Sequence, residues 1–198
     1  MSTPQEEITA IREALQPISK TPEENKTLCE KYPFLKWYGD PLYVGYDEEH
    51  ELDYKYTWED EIPDGWRKAF CPQIWDELKA ILEQGDYLDK FRFSQIKEKF
   101  GTIRLYHCGV PEEIFNEIIK WESKWEKESA KTCIDCGAPA THMSTGWINF
   151  ICRDCARTRA AEQEKHYGGH DHFVKIENID EFYNDREAYW KKHKDEEI

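Results

Sequence analysis

The sequence predicts an α+β protein: a small domain in which a β-hairpin, or antiparallel sheet, packs on two main helices and is fused to a module built around four cysteines. Apolar residues recur every three or four positions in two long stretches, which is typical of amphipathic helices. Between these stretches, apolar and polar residues alternate on both sides of a Phe-Gly pair, the pattern of a hairpin. Two CxxC pairs then follow close together.

Proline and glycine delimit the two helices. The first is predicted over residues 63–84 and should bend or restart near Pro72, because a proline deep inside a helix removes a backbone hydrogen bond. The second is predicted over 111–130 and the hairpin over 91–107, although residues 94–99 could instead form a helical turn.

The chain divides into four predicted segments. Residues 1–28 form an N-terminal helical arm that Pro17 and Pro22 should interrupt, and residues 29–131 form the α+β core. The four-cysteine module covers 132–165, and 166–198 contains a histidine-rich turn and a last helix over 180–192.

The two CxxC pairs predict one structural zinc ion. Each pair lets two thiolates converge on one metal, and the intervening residues return the chain so that the second pair completes a tetrahedron. Four protein ligands leave no coordination position open for water or substrate. Two disulfides or four buried thiols are the alternatives. The predicted ligands are Cys133, Cys136, Cys152 and Cys155.

A second metal site is a weaker possibility in the turn that follows the zinc module. His166, His170 and His172 fall within seven residues, and imidazole suits zinc, copper or nickel. The alternative is a glycine-rich turn with solvated histidines. The remaining cysteines, Cys29, Cys71 and Cys108, are scattered singly and predicted to be ordinary thiols.

The formal net charge of −14 favours a protein partner, because non-specific nucleic-acid binding depends on Lys and Arg neutralising phosphates. Carboxylates concentrate between residues 47 and 64, where aromatic residues alternate with charged ones. We therefore predict an acidic, aromatic protein-binding surface, with a solvated acidic loop as the alternative. Its proposed members are Tyr54, Tyr56, Trp58 and Asp60.

Two anion-binding alternatives remain open. One is capture of a small nucleotide-type ligand, because Arg makes bidentate phosphate contacts and an aromatic ring can stack on a base. Its candidates are Arg92, Lys97, Lys99, Arg104, Tyr106 and Trp147. The other is a nucleic-acid-binding zinc ribbon that uses Arg153, Arg157 and Arg159.

Catalysis and membrane insertion are not predicted. The sequence lacks GxGxxG, Walker, GxSxG and HExxH motifs, so we expect a protein that is not an enzyme. The first residues lack a cationic region followed by an apolar run, and no stretch approaches eighteen apolar residues. We expect a cytoplasmic location and no membrane partner.

Three blocks carry a family resemblance: IPDGWRKAF at 62–70, QIKEKFGTIRLY at 95–106, and TCIDCGAPA with GWINFICRDCA within 132–156. In this order they resemble an uncharacterised family of small zinc-binding proteins from bacteriophages, prophages and bacteria. The resemblance covers about residues 30–157. It implies a bacterial host cytoplasm and a possible role against host defence, and it supplies no mechanism.

Overall fold

The computed structural model describes residues 20–37, 54–144, 146–169 and 172–176. Within these ranges the chain forms five α-helices and five short strands, and the predicted α+β class is confirmed. None of the described helices is both long and apolar enough to cross a bilayer. The helices are α1 (Pro22–Lys31), α2 (Asp64–Phe70), α3 (Gln73–Gln84), α4 (Glu112–Ala130) and α5 (Arg153–Tyr167). The strands are β1 (Phe93–Lys99), β2 (Thr102–His107), β3 (His142–Ser144), β4 (Phe150–Ile151) and β5 (Phe173–Lys175).

The first predicted helix is interrupted where the sequence indicates. It divides into α2 and α3 at Cys71 and Pro72, because Pro72 has no N–H to continue the helical ladder. Helices α3 and α4 then pack together, and the buried indole N–H of Trp121 donates to the Ile74 carbonyl at 3.1 Å. These two helices form one side of the main hydrophobic core.

The hairpin closes through a two-residue turn in left-handed backbone. Phe100 has φ 54° and Gly101 has φ 79°, which suits the right-handed twist of the antiparallel pair. The helical alternative for residues 94–99 is wrong, because β1 pairs with β2 along this stretch. A Cβ on Gly101 would lie 2.7 Å from the Phe150 ring, so the hairpin tip packs directly on the four-cysteine module.

Strand β2 is joined to α4 by polar contacts. Arg104 pairs with Glu126 at 2.8 Å, and the buried Ile103 N–H donates to the Ser129 hydroxyl at 2.9 Å. Near the end of the strand, His107 Nε2 lies 3.1 Å from a Glu122 carboxylate oxygen. These contacts hold the hairpin against the longest helix.

The His107–Glu122 contact predicts a pH-dependent contribution to stability. Burial disfavours imidazolium, but hydrogen bonds to Glu122 and to the Cys108 carbonyl outweigh burial, so the pKa of His107 is raised. A raised folded-state pKa gives stabilisation that is complete below the unfolded pKa of about 6.5 and is lost as pH rises through the folded pKa. Unfolding free energies measured from pH 5.5 to 8.5 should therefore fall more steeply for wild type than for Glu122→Gln. Parallel profiles would contradict this prediction.

The second sheet has the order β4–β3–β5 and belongs to the four-cysteine module. Its third strand, β5, comes from residues predicted to lie beyond the module, yet it pairs with β3 from His142 to Ser144. The predicted boundary at 165/166 therefore divides elements that are hydrogen bonded to each other.

The predicted arm boundary at 28/29 also falls within an element. Helix α1 crosses it, with Thr21 as its N-cap and Pro22 as its first residue. Residues 1–19 and the predicted helix over 180–192 lie outside the described residues.

Candidate metal centre and binding surfaces

The two CxxC loops bring four sulfur atoms together. Cys133 and Cys136 follow α4, whereas Cys152 and Cys155 lie at the start of α5. The four sulfurs all lie within 4.8 Å of one another, and those of Cys136 and Cys152 are 3.7 Å apart. A tetrahedral site with metal–sulfur bonds of about 2.3 Å needs sulfur–sulfur distances of roughly 3.8 Å. This cluster could therefore hold a metal ion.

Local backbone geometry shapes both loops. Gly137 adopts φ 83° after the first pair, and its N–H donates to the Cys133 carbonyl at 3.0 Å. Cys152 is the N-cap of α5, and its sulfur accepts from the Cys155 N–H at 3.4 Å. A hydrogen bond between Cys155 and Cys133 lowers the pKa of Cys133 and raises that of Cys155. The sulfurs thus share protons that a cation would replace.

Helix α2 docks on the first CxxC loop through its glycine. The Gly65 N–H donates to the Ile134 carbonyl at 2.9 Å, and the adjacent Trp66 indole donates to the Thr132 carbonyl at 3.0 Å. A Cβ on Gly65 would lie 2.3 Å from the Cys133 carbonyl oxygen. Two of the conspicuous sequence blocks, the one containing PDGW and the first CxxCG, therefore meet in space.

A cavity of about 400 Å³ lies where α2, the first CxxC loop and α5 meet. Three carboxylates and one guanidinium line it, together with apolar and hydroxyl groups, so its charged side chains are mainly acidic. Arg159 pairs with Asp135, and Asp64 pairs with Arg67. The lining residues are Pro63, Asp64, Ile134, Asp135, Cys155, Thr158, Arg159 and Glu162.

Helix α5 separates the three arginines that the sequence places together. Arg159 points into the cavity, where Asp135 pairs with it. Arg153 and Arg157 lie on a different part of the helix and are both exposed. The three arginines therefore do not share one helix face, because helical geometry rotates Arg159 about 200° from Arg157.

Trp58 is buried and Asp60 is half-buried, which corrects the prediction of an exposed acidic, aromatic surface at these two residues. Trp58 is only 3% exposed and packs on Trp37, with ring centroids 4.4 Å apart. Asp60 accepts hydrogen bonds from Thr57 and pairs with Arg67 at 2.9 Å. Tyr56 is 40% exposed, whereas Tyr54 is half-buried. The period-two pattern fails because Trp58 begins a 3₁₀ helix.

The predicted nucleotide-binding residues lie outside the cavity between α2 and α5. Arg104 pairs with Glu126, whereas Arg92 donates to the carbonyls of Asp89 and Phe91. None of the proposed residues lines the cavity described above.

The remaining hairpin candidates also make local contacts. Lys97 lies over the Tyr106 ring, and Lys99 lies over the Phe100 ring. Trp147 is 69% exposed, and its indole N–H donates to Glu98 at 2.8 Å. These contacts place positive charge beside aromatic rings on the hairpin.

The possible histidine site is only partly described. His166 and His172 are exposed, whereas His170 lies outside the described residues. Residues 47–53, which contain much of the acidic run, also lie outside them. Of the three cysteines predicted to be ordinary thiols, Cys29 is buried and Cys108 is exposed. Burial raises the pKa of Cys29 to about 12.

Sequence reasoning missed the residues that form the cavity. Asp64, Asp135 and Glu162 are far apart in the sequence, so no spacing pattern connects them. Gly65 carried a usable signal, because a glycine in the first turn of a helix can permit close backbone contact. Its partner loop could not be identified without the fold.

Comparison of the chain with protein-family models, curated proteins and solved structures gave no match.

Proposed function

We propose that this chain is a zinc-stabilised binding protein that engages a protein partner through an acidic surface around the cavity between α2 and α5. The proposal retains the expected class of partner but moves the contact from Trp58 and Asp60 to this cavity. The resemblance to a phage and bacterial family adds a proposed bacterial host cytoplasm and a role against host defence. The chain acts in this proposal by binding rather than by catalysis.

The chemistry of the donor set supports zinc as the metal. Four thiolates in tetrahedral spacing suit this ion, and a site filled by protein ligands fixes structure rather than activating water. Cys155 contributes to the metal cluster and also lines the cavity. Zinc would therefore hold one wall of the binding surface in place.

The observation that carries the proposal is the charge of the cavity wall. Three carboxylates, those of Asp64, Asp135 and Glu162, line the cavity beside one guanidinium, that of Arg159. Asp64 also pairs with Arg67, which lies outside the lining. The cavity can accommodate a protruding side chain, and its acidic lining complements a Lys or Arg of a partner protein. A basic protein segment is therefore the proposed target.

Replacement of Glu162 tests this binding surface without removing a metal ligand. Immobilised wild type should retain a stoichiometric protein from a lysate of the source organism, and Glu162→Lys should reduce its recovery on the order of tenfold because like charges would meet. Quantitative mass spectrometry of the bound fraction measures this difference. Glu83→Lys provides a matched charge change on α3, outside the cavity lining.

The outcome depends on comparison between variants rather than on capture alone. A partner retained by wild type and Glu83→Lys but reduced with Glu162→Lys would support the proposed surface. Equal recovery with Glu162→Lys, or no stoichiometric partner with wild type, would contradict it. Equal zinc content in all three proteins would establish that loss of partner binding does not follow from loss of the metal.

A further inference from the structure

Two exposed arginines lie one helical turn apart at the start of α5. Residues separated by four positions lie on the same helix face, with their Cβ atoms about 5–6 Å apart. Neither Arg153 nor Arg157 has a carboxylate partner within salt-bridge distance among the described residues. The other described arginines hold carboxylates or backbone carbonyls: Arg67, Arg92, Arg104 and Arg159.

Strand β5 brings a third cation to this region. Lys175 pairs in register with His142 of β3, so the two residues are direct neighbours across the sheet. Burial first, and then the positive charges of Arg153, Lys175 and Arg157, lower the pKa of His142. Each of the three cations is therefore near enough to the buried His142 imidazole to disfavour its charged form. We call Arg153, Arg157 and Lys175 the cationic face.

The cationic face differs from the acidic cavity on the same helix. Cys155, Arg159 and Glu162 line the cavity, whereas Arg153 and Arg157 lie outside its lining. Asp154 is exposed beside Arg153 in sequence, but consecutive residues are rotated about 100° around a helix. Helix α5 thus places Arg153 and Arg157 outside the cavity that its Arg159 and Glu162 line.

The chemistry of the cationic face matches phosphate groups. Guanidinium makes bidentate hydrogen bonds to phosphate, and two guanidinium groups one turn apart can contact neighbouring phosphates. Arg153, Arg157 and Lys175 are all exposed, so the phosphates of a polymer can reach them without entering a cavity. A free nucleotide more commonly needs a concave pocket that buries most of its surface.

We propose that the cationic face binds the phosphate backbone of a nucleic-acid strand. This interaction goes beyond the proposed protein contact and does not depend on it. The net charge of −14 weakens binding overall, but exposed charges farther away than about 8 Å are largely screened at physiological ionic strength. The local arrangement of cations can therefore determine where a strand binds.

Fluorescence anisotropy with a labelled oligothymidine of about 20 nucleotides tests this face. Wild type should bind at low salt, and the logarithm of its association constant should fall against the logarithm of salt concentration with a slope of roughly −2 for three phosphate contacts. Arg153→Glu combined with Arg157→Glu should weaken binding on the order of tenfold or more and flatten that slope. ATP should compete poorly.

The double variant Lys90→Glu with Lys120→Glu provides the same charge change away from the cationic face and should lose much less affinity. Zinc content and circular dichroism should match wild type in both proteins. If the glutamate variant does not fold, Arg153→Gln with Arg157→Gln makes a milder test. Oligonucleotide titration of wild type should also shift amide NMR signals in the first turns of α5 and in β5 before those in α3.

Several outcomes would overturn the assignment. These are no detectable oligonucleotide binding by wild type at low salt, undiminished binding by both folded arginine double variants, or amide shifts confined to other elements. ATP binding as tight as oligonucleotide binding, with the same dependence on Arg153 and Arg157, would identify a free-nucleotide site instead. Oligonucleotide binding would support the proposal if it requires these two arginines and weakens as the salt concentration rises.

Discussion

Removal of the proposed zinc ion is expected to unfold β3, β4, β5 and α5 while leaving the hairpin and helices α3 and α4 folded. The main hydrophobic cluster extends from Cys29 to Ile134 and includes residues from these retained elements. The four-cysteine module has two small clusters, and one of these includes Cys133 and Cys155 themselves. Its strands are two or three residues long, so metal binding must contribute much of their stability.

Hydrogen exchange measured with and without a chelator resolves this difference by element. Backbone amides of β3 and α5 should lose protection, whereas those of β2 and α4 should remain protected. Structural zinc contributes about 10 kcal/mol or more in zinc-finger peptides, so the loss should be complete rather than partial. The intact metal-bound chain provides the reference state.

Substitution of one sulfur provides an independent measurement. Cys133→Ser should reduce zinc content and reproduce the exchange pattern obtained with chelator, because Cys133 is a fully buried member of the cluster. Cys108→Ser should retain both zinc and protection, since Cys108 is exposed and outside the cluster. Unchanged protection of β3 and α5 after verified metal removal would refute the structural role of zinc.

Local sequence patterns predicted the principal elements because their causes are local. The apolar stripe in α4 contains Ile114, Ile118, Trp121 and Trp125, and all four side chains are buried. Pro72 correctly marked the interruption between α2 and α3. The two CxxC pairs also converge as their spacing indicates. Each prediction depended on hydrogen bonds, side-chain spacing or turns among residues that are close together in the sequence.

Predictions of which residues lie at the surface were less reliable, because the burial of a residue depends on distant parts of the chain. Trp58 looked like an exposed aromatic residue in an acidic segment, but Trp37 and Phe93 cover it. Asp60 became an internal partner of Arg67 seven positions later. Composition placed carboxylates in this region but could not determine which ones faced solvent.

The three arginines of α5 do not share one helix face, and the register of the helix gives the reason. Helix α5 begins at Arg153. Arg153 and Arg157 consequently share a face, whereas Arg159 turns toward Asp135 and the cavity. The cationic face and the acidic cavity lie apart because of this helix register and the packing of β5. Neither feature can be deduced from sequence composition.

Gly65→Ala is expected to destabilise the protein by at least about 3 kcal/mol, at the upper end of the usual cost of overpacking. The added Cβ would lie 2.3 Å from the Cys133 carbonyl oxygen and 2.5 Å from that of Ile134. If α2 moved away from the loop to relieve this clash, the hydrogen bond from the Gly65 N–H to the Ile134 carbonyl would be disrupted. Alanine ordinarily stabilises a helix relative to glycine by about 1 kcal/mol, so destabilisation would have the opposite sign from helix propensity.

Chemical denaturation of the zinc-bound protein measures this effect, with metal content determined in the same samples. Gly109→Ala is the matched control, because its added Cβ meets no heavy atom within 4 Å and should change stability by less than about 0.5 kcal/mol. Gly65→Ala should also retain zinc less well in competition with a chelator, since its methyl group pushes on the loop between two ligands. Equal stability and zinc retention in the two alanine variants would show that the α2 contact does not constrain the metal centre.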